Sequence, residues 1–357
     1  MNISTCNSFL SDKIRILSFI SIILVLYIHS DFHEYPHEIQ GMKFNIYLQE
    51  FVSGKIGRLA VPLFFAISGF LFFVNTNMGF NVVWIKMRKR VRTLLIPYLI
   101  ACFFLPVTYL VIELIPGCSG FVNSESPFSD NLNLPVGQLL YYLFIDCGGG
   151  IPFAFHLWFL RDLIIIVAVS PLLYLLRKSD INKYVVCGIM FGLTFLKIPY
   201  LPTFGIFWFM FGGCFLDKLS KVKYRNSLSI MYLLLCIMEL TFPEWGGQFL
   251  VFRIPIILVG VVCMWLWYDK LIPENFDFSK YGWVKTICGF TFFIYLYHEP
   301  TINIVRKILV IPFGHNSLNF AFCYLISPWA FILLFIPIGI LMKKYIPSLY
   351  GPLVGGR

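Results

Sequence analysis

The sequence predicts an all-α, polytopic membrane protein with about ten transmembrane helices and both termini in the cytoplasm, and three observations lead there. Of the 357 residues, 59% are hydrophobic and 13% are charged, too few charges to give a soluble domain its polar surface. Apolar runs of spanning or near-spanning length recur along the whole chain. The basic residues gather in alternate loops between those runs.

The runs lie at 13–31, 56–75, 93–115, 157–176, 182–199, 201–217, 227–243, 249–268, 284–301 and 318–342. At a rise of about 1.5 Å per residue, each reaches or nearly reaches across a bilayer. The run 182–199 is the weakest, because it holds Lys197 and ends in Pro199. A shorter run, 136–146, reads as re-entrant or interfacial.

Retained loops carry the excess of Lys and Arg. Loop 76–92 has Lys86, Arg88, Lys89, Arg90 and Arg92; segment 177–183 has Arg177, Lys178 and Lys183; segment 217–225 has Lys218, Lys221, Lys223 and Arg225; the tail has Lys343, Lys344 and Arg357. Loop 116–156 contains Glu125, Asp130 and Asp146 but no Lys or Arg, as expected outside. Arg306 and Lys307, in the last external loop, are the main exception. The net charge of +10 is therefore a topology signal: the expected partner is the lipid bilayer, not nucleic acid. The start lacks a short apolar core followed by a small-residue cleavage site, so the first run is expected to be a retained span. Residues 1–357 are expected to form one integral-membrane domain. The ten cysteines form no CxxC pair and lie mostly in apolar runs, where Cys acts as a small hydrophobe. Cys118 and Cys147 flank the external loop and are a candidate disulfide.

The first run, DKIRILSFISIILVLYIHS, opens on basic residues and closes on His29. Successive helical residues turn by about 100°, so Arg15, Ser18, Ile22, Val25 and His29 fall near one face. An ionisable group at that depth is costly unless it faces protein or a water-filled cavity, which makes His29 a functional candidate; the alternative is a histidine that only marks the helix end. Asp31, His33, Glu34, His37 and Glu38 follow it without the spacing of a metal site, so no metal is expected and the segment reads as a solvated loop. Asp31 and Glu34 are close enough in sequence to orient the His29 imidazole.

Arg58 sits at the external end of the second run, and Ser68-Gly69 lets another helix approach closely. In KMRKRVRTLLIPYL, Arg88 and Arg92 share a face at i,i+4 and Lys89 pairs with Arg92 at i,i+3. Such a cluster suits a multiply phosphorylated ligand, and equally satisfies the positive-inside rule. His156, Trp158 and Arg161 open the fourth run, Gly212 and Gly213 offer a second close helix contact, and His298-Glu299 closes the ninth. Glu239 and Glu244 lie near one external end with Arg253 as a candidate partner.

The first run ending in His, VPLFFAISGFLFF, the basic stretch before LLIPYL, HLWFLRDLI at 156–164 and FTFFIYLYHEP at 290–300 together resemble the acyltransferase-3 family of integral-membrane acyltransferases. The resemblance covers essentially the whole chain in the family's order, and no appended soluble domain is expected. It implies about ten helices, acyl-CoA from the cytoplasm as donor, and O-acylation of surface sugars. The family's first-helix motif is an Arg followed eleven positions later by an essential His; His29 matches the His, while the Arg position falls on Ser18, with Arg15 three residues earlier. The Arg-x-x-Arg pattern before the third helix appears as Lys89-Arg90-Val91-Arg92. His298 matches a His common in the family.

The expected function is membrane transfer of an acyl group, acetyl in the first instance, from acyl-CoA to a hydroxyl of a glycan or its lipid-linked precursor in the bacterial inner membrane, with no tightly bound cofactor. A hydroxyl is a weak nucleophile and needs a positioned base, and imidazole has a suitable pKa range. His29 is the expected catalytic base. Arg15, Arg88, Lys89, Arg90 and Arg92 are the expected donor-binding residues, and Arg58, Ser68, His156, Trp158, Arg161 and His298 the expected acceptor-side or pocket lining. Direct transfer and transfer through an acylated residue both fit. The rival reading is a transporter or flippase for a lipid-linked sugar, whose usual sign, an internal hydropathy repeat, is not evident.

Overall fold

The computed structural model describes residues 8–32, 42–74, 79–118, 127–196, 198, 200–221, 223–242, 250–273, 276, 278–314 and 316–356, among which there is no strand. Helix α1 (Ser8–His29) is the helix expected of the first run. Helix α2 (Met42–Gln49) passes through a π-helical turn (Glu50–Ile56) and a 3-10 turn (Gly57–Leu59) into α3 (Ala60–Phe73). The helical path from Phe44 to Phe73 is longer than its apolar run. Lys55, which interrupts the apolar pattern, is accommodated there with its Nζ 3.2 Å from Glu50 and 3.1 Å from Glu239. Glu239 thus pairs with a different cation from the Arg253 suggested by sequence, and Glu244 lies outside the described residues.

Helix α4 (Phe80–Glu113) carries the basic turns at its start, and α5 (Val136–Phe144) occupies the short run. Helices α6 (Trp158–Ala168) and α7 (Ser170–Lys178) follow one apolar path bent by 59°. Pro171, in the first turn of α7, has no N–H to continue the ladder of α6. Helix α8 (Lys183–Leu193) has only 11 residues, shorter than the run 182–199; Lys197 and Pro199 lie outside the described residues. Then come α9 (Thr203–Phe215), α10 (Arg225–Thr241) and α11 (Leu250–Leu271).

The run 284–301 is not one helix. Helices α12 (Gly282–Gly289) and α13 (Thr291–Tyr297) are separated at Phe290, the chain turns at 298–300, and α14 (Thr301–Phe313) occupies what sequence reading took as an external loop. Gly289 is a poor helix former, and Pro300 has no N–H to extend α13. The chain closes with α15 (Ser317–Tyr345) and α16 (Pro347–Leu353). Four helical paths among the described residues are long and apolar enough to cross a membrane, five with the bent pair, so this is an integral membrane protein.

The tightest crossing lies between α3 and α9. A Cβ on Gly69 would meet the Phe209 carbonyl, and one on Gly212 would meet the Ala66 carbonyl. Two backbones in direct contact at reciprocal glycines are the packing expected of Ser68-Gly69 and Gly212-Gly213. A part-buried ion pair fixes the start of α1 to the end of α11: Lys13 Nζ donates to both Asp269 oxygens at 2.6 and 2.7 Å and sits 3.9 Å from the Trp265 ring centroid. These two contacts hold α1 and α3 around the space described next.

Gly212→Ala is expected to lower stability by about 1–3 kcal/mol through overpacking against backbone that cannot yield. Gly188→Ala, where a Cβ meets nothing within 4 Å, should be neutral or stabilise by about 0.5–1 kcal/mol, since Ala is the better helix former. Thermal unfolding in one detergent distinguishes the two; equal effects would contradict the crossing.

Candidate active site

A cavity of about 600 Å³ opens between α1, α3, α4, α6 and the α12–α13 break, with Lys86, Lys89 and Arg90 on its cationic side and Phe159, Leu160 and Tyr295 at its apolar side. That volume is in the range of small-molecule and cofactor sites. Residues 86, 89, 90 and 93 follow helical spacing and share the cavity-facing side of α4. Lys86 Nζ donates to the Phe72 carbonyl at 3.0 Å and to that of Val74, and Arg90 donates to the Ser68 carbonyl at 3.4 Å. The end of α3 thereby orients both cations. Ser18 and Ser68 line the same space.

Tyr295 connects this cavity to a row of three histidines. Its hydroxyl is 3.3 Å from the Leu160 N–H and donates to the His156 carbonyl at 3.1 Å. Its own carbonyl lies 2.8 Å from His298 Nδ1. The His298 ring stands between His29 and His156, with centroids 4.9 Å from each. A carbonyl only accepts, so His298 carries its proton on Nδ1 and His156, whose Nε2 is 3.2 Å from the Leu296 carbonyl, carries its proton on Nε2. His298 Nε2 and His156 Nδ1 are left buried and without a hydrogen-bond partner among the described residues.

His29 is the least buried member of the row: its side chain is 19% exposed, against 1% for Glu299, whose Oε1 lies 3.0 Å from His29 Nδ1. The contact has the distance of an ion pair without the alignment of an ideal hydrogen bond. The carboxylate still favours the proton on Nδ1 and leaves Nε2 as the basic nitrogen. Glu299 is itself held: its Oε2 accepts from Asn303 Nδ2 at 2.9 Å, Asn303 Oδ1 accepts from Arg306 Nε at 2.7 Å, and Arg306 Nη1 donates to the Asp31 carbonyl. The chain of contacts ends beside the residue that leaves α1.

His29, His156 and His298 are thus brought together, and Ser68, Lys89 and Arg90 meet at the cavity. The other predicted residues lie elsewhere. Arg15 pairs with Asp12 at 3.4 Å and does not line the cavity beside Ser18, because it points toward its own preceding turn. Arg88 lies over Trp84, 5.1 Å from the ring centroid, and Arg92 is exposed; Arg92 is about a third of a turn, and Arg88 nearly half a turn, from the centre of the cavity face. Arg58 is exposed beyond the cavity and Trp158 packs against the core. Arg161 donates to the Ile145 and Gly150 carbonyls at 2.8 and 2.6 Å and to Asp162, pinning the loop after α5 away from the histidines. Cys118 and Cys147 are free thiols, and burial pushes the Cys147 thiol above its ordinary range. His33, Glu34, His37 and Glu38 lie outside the described residues.

Sequence reasoning missed Glu299 as the partner of His29, along with Asn303, Arg306, Lys86 and Tyr295. Two signals were available. Residues 299, 303 and 306 follow i, i+4, i+7 spacing, and Arg306 stood against the charge pattern of its loop. Its burial, 3% exposed, explains that exception.

A helical membrane protein with a cation-rimmed cavity next to a carboxylate-oriented histidine has the parts of a group-transfer enzyme. The chain belongs to the acyltransferase-3 family, whose acyltransferase domain model matches residues 12–342, and it is an acyltransferase. Among curated proteins it is similar to the succinoglycan biosynthesis protein ExoH of Rhizobium meliloti (strain 1021), 26% identical over 332 residues that cover 87% of this chain and 82% of ExoH. No solved structure matches the chain.

Proposed function

We propose that the protein transfers an acyl group, acetyl in the first instance, from cytoplasmic acyl-CoA to a hydroxyl of a surface glycan or its lipid-linked precursor. The observation that carries this reading is the 3.0 Å contact of His29 with the buried Glu299 carboxylate, one tyrosine away from a cation-rimmed cavity. The similarity to a succinoglycan biosynthesis protein supports a polysaccharide acceptor. The alternating basic loops support ten spans with both termini cytoplasmic, in a bacterial inner membrane.

In this reading Lys86, Lys89 and Arg90 take the donor's phosphates, since ionised donors bind phosphate oxygens most strongly. The acyl-bearing arm follows the apolar wall toward Tyr295. His29 Nε2 accepts the acceptor hydroxyl's proton as its oxygen attacks the thioester carbonyl. The C–S bond then breaks, the acyl group stays on the new ester oxygen, and the imidazolium returns its proton to the departing thiolate. Glu299 stabilises the imidazolium between the two steps.

His29→Gln keeps a polar side chain without a titratable nitrogen. It should lower turnover by about 10²–10⁴-fold, the usual share of acid–base catalysis, with donor binding nearly intact. A Gln variant that keeps most of its turnover would make His29 a packing residue.

Lys86→Gln with Arg90→Gln should raise the apparent KM for acyl-CoA, each lost charge-assisted bond being worth about 1.5–3 kcal/mol. Arg88→Gln with Arg92→Gln should leave it unchanged. Equal KM effects from the two pairs would return all four to a topology role.

A further inference from the structure

A second cavity lies apart from the reaction space, where the end of α7, the start of α8 and the turn after α9 meet. Its volume is about 820 Å³, and it gathers Arg177, Lys178, Lys183 and Lys218 from three separate segments, with Asp180 as the sole carboxylate among the described residues of its wall. Positive charges in a retained loop satisfy topology wherever they stand. Topology does not require them to converge on one concave surface, where mutual repulsion opposes folding unless an anion sits among them.

The site is partly preorganised. Arg177 Nε donates to the Gly213 carbonyl at 3.0 Å, and the guanidinium lies 5.2 Å from the Phe73 ring centroid. Tyr184 stacks on Phe215, with centroids 5.0 Å apart and planes at 28°. These contacts fix two walls of the cavity, while the three lysines remain exposed at its rim.

Beside it the surface turns apolar. Leu175, Ile181 and Val185 are each about half exposed, at 51%, 51% and 52%. They sit on the same two helices and the turn between them. A soluble anion would use the cations and leave that flank wet. A lipid would use both, with its phosphate in the basic pocket and its acyl chains along the apolar flank. Basic pockets between membrane helices are a recurrent mode of anionic headgroup recognition.

We infer that this cavity binds the phosphate headgroup of an anionic phospholipid. The protein thereby holds one lipid at the α7–α8 turn, whose α8 is too short to span the bilayer unaided.

The test uses the full chain purified in detergent and titrated with vesicles of phosphatidylglycerol in phosphatidylcholine, reading bound lipid by native mass spectrometry and protection against thermal unfolding. Lys183→Gln with Lys218→Gln removes two rim charges without touching the Arg177 contacts, and a triple variant adds Arg177→Gln. Each charge removed should weaken phosphatidylglycerol binding about five-fold, on the order of a hundred-fold for all three. Acyl transfer in pure phosphatidylcholine should be unchanged in the double variant. Equal binding of phosphatidylcholine, or equal affinity in wild type and double variant, would overturn the inference. Protection by inorganic phosphate or pyrophosphate matching that of the lipid would overturn it too, in favour of a soluble anion.

Discussion

The contact on which the site depends is that between Glu299 and His29. A carboxylate as buried as Glu299 is expensive to desolvate, and such a group persists only where opposite charge and hydrogen bonds surround it. Here Asn303 donates to one oxygen, His29 faces the other, and Arg306 stands behind Asn303. Pro300 sets this geometry. It ends the path of α13, and the next helix begins at Thr301, so that Glu299 lies at the amino end of α14, where negative charge is favoured. One break in an apolar run therefore delivers both His298 and the partner of His29.

The rest of the fold serves to bring two environments within reach of that pair. Lys13 with Asp269 anchors one end of α1, and His29 lies at the other, about 24 Å away at 1.5 Å per residue. The glycine crossing of α3 on α9 sets the position of Ser68, whose carbonyl orients Arg90. Phe159, Leu160 and Tyr295 line the cavity away from its cations, and Tyr295 joins that apolar lining to the row of imidazoles.

Much of this was legible in the sequence because it is local. Placing His29 at the end of a membrane-length helix needed only periodicity, and the close approach at Gly69 and Gly212 followed from small residues in apolar runs. The breaks were harder to read. Hydropathy sums over 284–301 without registering that Gly289 and Pro300 divide it into two helices and a turn. The partner of His29 was sought at Asp31 and Glu34, its neighbours in sequence, whereas the residue in contact is 270 positions away. No local pattern encodes such a pairing. The cation-bearing face of α4 was a matter of phase: Lys86 and Arg90 are as well spaced as Arg88 and Arg92, and tertiary packing decides which pair turns inward.

The central claim is that His29 acts as a base because Glu299 holds its tautomer and charge. Glu299→Gln is nearly isosteric, can keep an oxygen toward Asn303, and removes only the negative charge. The measurement is the turnover of that variant under saturating acyl-CoA, with donor KM determined in the same preparation. Turnover is expected to fall by about 10²-fold or more with donor KM unchanged, by analogy with the loss seen when a carboxylate that orients a catalytic histidine is neutralised. Turnover within about two-fold of wild type, a difference of only about 0.4 kcal/mol in barrier, would contradict it.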